Sequence, residues 1–490
     1  MKKVNKKLWS ILLLVCMLVT LTACGTTTTG GTETTSPSAS ASASASASAT
    51  PKQEEPSATP EPVVEKYEGF DFGGRTIKVG IWWDYYYTSI HTSINDDPGL
   101  LNAETAQLRL DNVRRIEKKY NCRIEFVNLG WNGIIESINT SIAAGTPECD
   151  IYLTDLQFGV PAVLNGLAQD LSKIAPANCD LFGEQIVVRP LEALGGTYLF
   201  TEQGLPQSGI FLGYNSTMIE ELGLEDPAAL YNKGQWTWDK FAEYAKAGTR
   251  DLDNDGTIDV YGFGGIWTNL LDGLLMNNGA SIAASKTEGL SSEATIEVLE
   301  FIDRLFNVDK SARPWNADDW NDNLLAWSSQ KAMFFTGMAW VTKQEMDNAA
   351  NQGAALPFEF KVVPYPNGPH GDGNAYSPVL GNWYMIPVGV KDAGKVLQIF
   401  EEFLNWYDGK TELRDDPSWF ESCFMSMEDV EMAYLCGSKQ KLDLWANLAP
   451  AFDMGATVIM PLIYNKDVTV AQAVEAAKPI LQDALNATFK

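Results

Sequence analysis

"RTIKVGIWW", residues 75–83, is an apolar, β-branched run that ends on two tryptophans, and it predicts a buried strand. The next stretch, "NAETAQLRLDNVRRIEKKYN" (102–121), has the apolar periodicity of a helix, and "CRIEFVNL" (122–129) follows it as a second strand. "WNGIIESINTSIAAG" (131–145) predicts another helix, and "CDIYLTD" (149–155) predicts a third strand. This strand–helix–strand–helix–strand order predicts a parallel sheet with helices on both faces.

Polar and aromatic residues stand where these strands end. Trp83 and Asp84 follow the first strand, and Tyr152 and Asp155 close the third. Ligands of open α/β sheets bind beyond the carboxyl ends of the strands. We therefore predict these four residues as ligand contacts.

The N-terminus has the features of an export signal. Several lysines precede the apolar run "LWSILLLVCMLVTLTA" (8–23), which is shorter than the about 20 residues that span a membrane. It closes on "LTAC", the pattern of a bacterial lipoprotein signal. The pattern predicts a signal peptide over 1–23 and a lipid on Cys24, which anchors the chain to the membrane without spanning it. The alternative is an ordinary signal peptide with an incidental cysteine.

Residues 24–67 are almost entirely Ser, Ala, Thr, Pro and Glu, so they predict a disordered tether that has no core of its own. A long spacer of this kind suits the outer face of a Gram-positive cell membrane. The remaining about 420 residues are too many for one core and predict two lobes.

Charge and cysteine content narrow the possible partners. The chain has 36 Lys+Arg against 63 Asp+Glu, a net charge of −27, which argues against nucleic acid as a partner. Of its seven cysteines, five remain once Cys16 and Cys24 are set aside, and their spacing matches no metal module. Cys423 and Cys436 form a disulfide or are buried free thiols. The five are Cys122, Cys149, Cys179, Cys423 and Cys436.

The stretch "DLDNDGTIDVYGFGG" (251–265) begins like an EF-hand calcium loop, with Asp at positions 1, 3 and 5 and Gly256 at position 6. Position 12, where an EF-hand has a glutamate, is Gly262, so the second half departs from that motif. Carboxylates this close repel one another unless a cation lies among them, and an all-oxygen set suits calcium. We predict a structural calcium ion, with a solvated acidic turn as the alternative. The predicted ligands are Asp251, Asp253, Asp255, Thr257 through its carbonyl, and Asp259.

Five motifs in order along the chain resemble one known family, the extracellular solute-binding proteins of ABC importers, the cluster that includes maltose-binding protein. The most specific is the stretch "FLGYNSTMIEELGLEDPAALYNKGQWTWDKFAEYAKAGT" (211–249), with its Tyr-Asn and Trp-Thr-Trp-Asp elements. The other four are "AAGTPECDIYLTD" (143–155), "SSQKAMFFTGMAW" (328–340), "VVPYPNGP" (362–369) and "GNWYMIPVGVKDAGKVLQIFEEFL" (381–404).

This resemblance implies an α/β, two-lobed periplasmic-binding-protein fold in which each lobe is a mostly parallel sheet flanked by helices. Ligand would bind between the lobes and close them by hinge motion, and a permease would recognise the closed state. The implied N-lobe is 68–200 plus 340–380, and the implied C-lobe is 208–335 plus 386–490. The three hinge crossings would lie near 198–210, 335–341 and 378–388.

The solute is predicted from aromatic content. The chain has 15 tryptophans, and sugars present flat apolar faces that stack on aromatic rings. By resemblance to the family, Trp267, Trp340 and Trp383 join Trp83 as stacking residues, although each is also explained by core packing. We predict a carbohydrate, more narrowly an oligosaccharide. A peptide, a polyamine or a uronate is the alternative.

An enzyme is the weaker reading. The chain has two histidines, no HExxH and no G-x-S-x-G stretch. A glycosidase needs only two carboxylates, so a glycoside-active enzyme remains the less favoured alternative. We expect a monomeric binding protein that serves an ABC permease.

Overall fold

The computed structural model describes residues 66–182, 195–202, 209–284, 286–379, 381–442 and 452–489. The predicted signal peptide, Cys24 and the tether as far as residue 65 lie outside the described residues. These described residues belong to one compact unit. In the part of the chain that is described, no helix combines the length and the apolar character that crossing a membrane requires.

The elements have the following bounds. The strands are β1 (Arg75–Ile81), β2 (Cys122–Asn128), β3 (Ile151–Thr154), β4 (Leu199–Phe200), β5 (Phe211–Asn215), β6 (Tyr261–Phe263), β7 (Ala283–Ala284), β8 (Thr287–Glu288), β9 (Ala332–Gly337), β10 (Phe360–Val363), β11 (Ser377–Pro378), β12 (Trp383–Met385) and β13 (Gln440–Lys441). The α-helices are α1 (Ala103–Tyr120), α2 (Gly130–Ser137), α3 (Leu156–Leu164), α4 (Ser216–Glu221), α5 (Pro227–Asn232), α6 (Trp238–Gly248), α7 (Trp267–Met276), α8 (Glu293–Asp303), α9 (Trp320–Leu324), α10 (Ala339–Asn351), α11 (Ala393–Leu404), α12 (Thr411–Arg414), α13 (Ser418–Glu421), α14 (Met427–Gly437) and α15 (Val470–Thr488). Short 3₁₀ helices are Ile94–Asp96 and Leu171–Lys173, and π-helical segments are Ile138–Ile142, Arg304–Val308 and Gly455–Asn465.

The first sheet has the strand order β2–β1–β3–β12–β4. Strand β1 pairs in parallel with both β2 and β3, with Ile77 opposite Ile124 and Val79 opposite Ile151. The parallel arrangement predicted from the opening motifs is confirmed. Strand β12 then runs antiparallel to β3 and β4.

Helices cover both faces of this sheet, as the motif order predicted. On one face, α1 and α11 meet the strands in a core that contains Val113 and Phe400. On the other face, α2 and α3 pack over Tyr152 in a separate core. The two cores follow from the alternation of side chains along each strand.

The second sheet has the strand order β10–β5–β9–β6. Strand β5 is antiparallel to both of its neighbours, and only β9 and β6 are parallel. The second lobe therefore departs from the mostly parallel sheet that was expected. Cores on its two faces contain, for example, Tyr214 and Phe211.

The expected lobe boundaries need correction in three places, at β10, at α11 and at α10, which packs in a core of the second lobe. Strand β10 lies in the segment 340–380 but pairs with β5 of the second sheet. Helix α11 lies in the segment 386–490 but buries Val396 and Phe400 in a core of the first sheet. Strand pairing therefore assigns residues 360–363 to the second lobe, and core packing assigns residues 393–404 to the first.

One expected hinge crossing is also misplaced. Strand β9 leads directly into α10, and Ala339 and Val341 pack in a core of the same second lobe, so 335–341 is not a crossing. In the described chain, the backbone changes lobe between β4 and β5 and between β11 and β12. It changes again between Leu404 and Phe420, which pack in cores of different lobes.

The predicted tether of 24–67 extends two residues too far, because Lys66 and Tyr67 belong to the folded part. Lys66 forms an ion pair with Glu401, and the Tyr67 hydroxyl donates to the second carboxylate oxygen of Glu401 at 2.6 Å. Glu401 is fully buried on α11. The first two described residues are thus fixed to the first lobe.

The five cysteines that the structure describes form no disulfide. All five that were considered are free thiols, so Cys423 and Cys436 are unpaired. Burial raises the pKa of each of these thiols to about 12. They therefore stay protonated and unreactive at neutral pH.

Candidate functional site

An aromatic surface lies at the carboxyl ends of the first sheet's parallel strands. Trp82 and Trp83 follow β1, Trp131 follows β2, and Phe158 lies on α3 after β3. The ring of Trp82 has its centroid 5.1 Å from Trp83 and 5.1 Å from Trp131, both edge-on, and 5.9 Å from Phe158. Trp83 and Trp131 are each 40% exposed. We call Trp82, Trp83, Trp131 and Phe158 the tryptophan edge.

Polar groups flank the tryptophan edge. The Asn128 side-chain amide, at the end of β2, donates to Asp84 Oδ1 at 2.9 Å, and both residues are exposed. Asp155 caps α3, where its Oδ1 accepts the backbone N–H of Gln157 at 2.8 Å. Burial raises the pKa of the Asp155 carboxyl. The edge therefore combines exposed aromatic surface with carboxylate and amide groups.

Tyr152 does not reach this surface. Its side chain is fully buried, and its hydroxyl lies 2.8 Å from Ser137 Oγ and 3.2 Å from Ser141 Oγ, beneath the π-helical turn that follows α2. It also accepts the Cys149 N–H. The prediction that Tyr152 contacts ligand is corrected, because the alternation of β3 turns this ring into the core.

Trp383 is also a core residue. It is 4% exposed and packs with Tyr152 in the core on the α2–α3 face of the sheet. Strand β12 places it opposite Thr154, whose hydroxyl donates to the Trp383 carbonyl at 2.8 Å. The predicted ligand contact is corrected here for the same reason, since the ring points to the covered face.

The two tryptophans predicted in the second lobe follow neighbouring parallel strands. Trp267 begins α7 soon after β6, and Trp340 lies in the first turn of α10 soon after β9. Trp340 is 45% exposed. Trp267 is partly buried against the second-lobe core, and a Cβ on Gly455 would lie 3.4 Å from its ring. Both residues therefore stand at one end of the second sheet.

Sequence reasoning overlooked two groups of exposed aromatics. Trp131 was counted only as part of a helix, although it follows strand β2 as Trp83 follows β1. The signal that could have identified Trp131 is its position immediately after a strand.

The second group is a pair of tryptophans. Trp320 is 54% exposed, and its ring lies edge-on to that of Trp315, with the centroids 5.7 Å apart. The Arg313 N–H donates to the Phe263 carbonyl at 2.8 Å, which brings this segment to the end of β6.

The acidic loop is closed by backbone hydrogen bonds at its two ends. The Arg250 N–H donates to the Val260 carbonyl at 2.8 Å, and the Asp259 N–H donates to the Arg250 carbonyl at 3.0 Å. This closure brings both ends of the loop together. The carboxylate oxygens of Asp251, Asp253 and Asp259 lie within 4.8 Å of one another.

The donor set of this loop fits a cation. Asp251 Oδ2 accepts the Gly256 N–H at 2.8 Å, and Asp259 Oδ2 accepts the Leu252 N–H at 2.7 Å. Asp251 Oδ1 is buried and, among the described residues, has no hydrogen-bond partner. Buried polar atoms are nearly always partnered, so this oxygen is suited to an ion that takes oxygen ligands.

Not every predicted ligand joins the cluster. The Asp255 carboxylate lies outside the group of three and accepts the Thr257 N–H at 2.7 Å. At position 12, a Cβ on Gly262 would lie 1.9 Å from the Ala245 carbonyl oxygen, so a glutamate cannot stand there. Close packing of β6 on α6 therefore explains why the second half departs from an EF-hand.

Comparisons with known proteins extend these observations. The family described as "Bacterial extracellular solute-binding protein" matches residues 102–410, more than half of the chain. A comparison with curated proteins finds no match.

Solved structures of about 15% identity share the fold. The ABC substrate-binding protein Lmo0181 from Listeria monocytogenes, in complex with cycloalternan, matches with a TM-score of 0.56 and 15% identity over 85% of this chain and 99% of that one. The cyclic alpha-maltosyl-1,6-maltose binding protein from Arthrobacter globiformis matches with a TM-score of 0.58 and 14% identity over 85% and 100%. UgpB from Mycobacterium tuberculosis, in complex with glycerophosphocholine, matches with a TM-score of 0.52 and 15% identity over 78% and 96%.

The family match spans strands of both sheets, from α1 to the residues after α11. The similar solved structures are covered over almost their whole length. The two-lobed fold and the family expected from the ordered motifs are confirmed. The chain belongs to the family of bacterial extracellular solute-binding proteins.

Proposed function

We propose that the chain captures an oligosaccharide between its lobes and delivers it to an ABC import permease. The tryptophan edge carries this proposal. Trp83 and Trp131 expose aromatic surface beside the Asp84–Asn128 pair, and a pyranose ring offers an apolar face and a rim of hydroxyls that match such a surface. Two of the similar structures are of proteins whose descriptions name oligosaccharide ligands, which supports the choice of solute.

We propose that the second lobe offers the opposing surface. Trp340 is exposed, and it lies with Trp267 at the end of the parallel pair β6–β9. Closure of two lobes around a ligand is a common hinge motion in binding proteins. We propose that Trp340 and Trp267 meet the sugar from the side opposite Trp83, and that Asp155 accepts a hydroxyl hydrogen bond.

Two accessory features belong to the proposal. Cys24 carries a lipid, and residues 24–65 hold the folded part away from the membrane, as the lipoprotein-like signal indicates. The loop 251–259 binds calcium as a structural ion, which the clustered carboxylates and the unpartnered Asp251 Oδ1 support. Calcium there neutralises the carboxylates and fixes the loop between α6 and β6.

Binding without catalysis is the proposed activity. Proteins of this family are described as solute-binding, and the similar structures are of binding proteins. We propose that the bound sugar leaves chemically unchanged.

A polyamine or choline-like cation is the second candidate solute. The acidic Asp84 and Asp155 border an aromatic surface, a combination that also binds organic cations. UgpB, which shares the fold, was solved with glycerophosphocholine. The fold alone therefore does not select a sugar.

A thermal-shift screen tests the choice between solutes. The full chain is melted with an oligosaccharide panel, with peptides and with polyamines, each in the presence of calcium. A concentration-dependent increase in Tm with one group of oligosaccharides is expected, because ligands that bind only the folded state stabilise it. An increase with polyamines or peptides and none with sugars would overturn the oligosaccharide proposal.

A further inference from the structure

A second cluster of metal-ligating side chains lies apart from the acidic loop. Glu293 and Glu297 are one turn apart on α8, and His370 lies in the segment that follows β10. Ligating atoms of these three side chains all lie within 4.8 Å of one another. His370 Nε2 is 3.1 Å from Glu297 Oε2. One of only two histidines in the chain therefore meets two carboxylates.

A fully buried asparagine positions both parts of the cluster. The Asn278 side-chain amide donates to Glu297 Oε2 at 3.2 Å and to the Ala294 carbonyl at 2.8 Å. Its Oδ1 accepts the backbone N–H of His370 at 2.9 Å, which holds the segment that carries the imidazole. A glycine is needed at position 368, because a Cβ on Gly368 would lie 2.4 Å from Asn278 Oδ1. The bond to the Glu297 carboxylate is of the kind that orients a metal ligand.

The charge balance favours a cation. Among the residues that the structure describes, no lysine or arginine forms an ion pair with Glu293 or Glu297, and the recorded ion-pair partner is His370. Two carboxylates this close repel each other. A divalent ion would offset that repulsion with both oxygens and the imidazole nitrogen as ligands.

Water reaches the cluster because Glu293 and His370 are exposed, and a groove of about 470 Å³ adjoins it at Glu297. Glu297 lines the groove together with Trp238 and Asn367. Three protein ligands with an open side for water is the pattern of accessible zinc sites.

We propose that Glu293, Glu297 and His370 form a binding site for a divalent transition-metal ion, with Zn²⁺ as the best match to one imidazole and two carboxylates. The site links the segment after β10 to α8. It differs in chemistry from the acidic loop, whose ligands are all oxygens. It stands independently of the sugar proposal, since none of its residues belongs to the tryptophan edge.

Isothermal titration calorimetry with Zn²⁺ alone, on the full chain freed of metals, tests the site. We expect one zinc ion whose affinity falls by at least about tenfold in His370→Ala and in Glu293→Gln. His91→Ala is the matched control, because it removes the other histidine, and it should bind zinc as the parent chain does. All titrations use an Asp253→Asn background, which removes one carboxylate of the acidic loop.

The outcomes separate the site from an ordinary ion pair. Both cluster variants replace exposed side chains, and their metal-free melting temperatures should match that of the parent chain. Loss of the zinc ion in both, with retention in His91→Ala, supports the proposal. Absence of zinc binding to the parent chain, or equal binding in the cluster variants, would overturn it.

Discussion

At the scale of single residues, Trp131 is the sharpest test of the tryptophan edge. Removing its ring should cost about 1–1.5 kcal/mol of sugar binding, close to a tenfold weaker affinity, because stacking surface is lost. We predict this loss for Trp131→Ala in a calorimetric titration with the oligosaccharide that the melting screen identifies. Trp131→Phe should retain most of the affinity.

Ile480→Ala is the control for this prediction. Ile480 is 47% exposed on α15, so the variant removes apolar surface without touching the tryptophan edge. Equal affinities for the wild type and Trp131→Ala would show that the ring does not contact the sugar.

Trp383 should behave as a core residue. Its truncation leaves a large cavity beside Tyr152, so Trp383→Ala should lower the free energy of unfolding by about 3–5 kcal/mol in urea. Trp83→Ala, at an exposed position, should lower it by far less. If Trp383→Ala instead lost sugar binding with no change in its free energy of unfolding, Trp383 would be a ligand contact.

Asp155 combines a stability cost with a proposed role. Burial raises the pKa of the Asp155 carboxyl in the folded state above the unfolded value of about 3.9. Ionisation of this carboxyl therefore opposes folding at neutral pH. The cost disappears when the pH is low enough to protonate the group in both states. Asp155→Asn keeps a capping side chain. It should therefore melt higher than wild type at pH 7, with a difference that shrinks toward pH 4.

The same substitution should weaken sugar binding by about tenfold, because a charge-assisted hydrogen bond is lost. Melting curves at both pH values and one titration measure both effects. A variant that melts lower at pH 7 and binds normally would contradict both the burial cost and the ligand role.

At the scale of elements, the acidic loop makes a separate prediction. EDTA should lower the Tm of the ligand-free chain, and calcium alone should restore it. At about a hundredfold excess over its Kd, an ion that binds only the folded state stabilises it by about 2.7 kcal/mol. Asp251→Asn should abolish the calcium effect, since this residue holds the buried, unpartnered oxygen.

Asp255→Asn is the matched control within the same loop. Its carboxylate lies outside the cluster, so most of the calcium response should remain. A Tm that is unaffected by EDTA and identical in both variants would make the loop a solvated turn.

Local patterns predicted some elements well and others poorly. The βαβαβ order gave the parallel β1–β2–β3 core, because apolar runs and helical periodicity are local properties of the chain. The predictions that Tyr152 and Trp383 contact ligand were wrong. The face of the sheet on which each side chain lies depends on strand pairing and on the helices that cover the sheet, which are not local properties. Trp131 was missed because it begins a helix and was not weighed as the end of a strand.

At the scale of the whole molecule, the two-lobed fold could be predicted from ordered motifs, whereas the division between lobes could not. Strand β10 and helix α11 each join the lobe opposite to the expected one. Their placement is decided by long-range packing with β5 and α1, which leaves no local signal. The family match shares this limit, since it covers both lobes without dividing them.

A crystal structure of the chain with the identified oligosaccharide bound tests the central claim most directly. The account predicts sugar rings stacked on Trp83 and Trp131, with Trp340 facing them from the second lobe and a hydroxyl hydrogen-bonded to Asp155. A sugar bound elsewhere, with the tryptophan edge free of contacts, would contradict it.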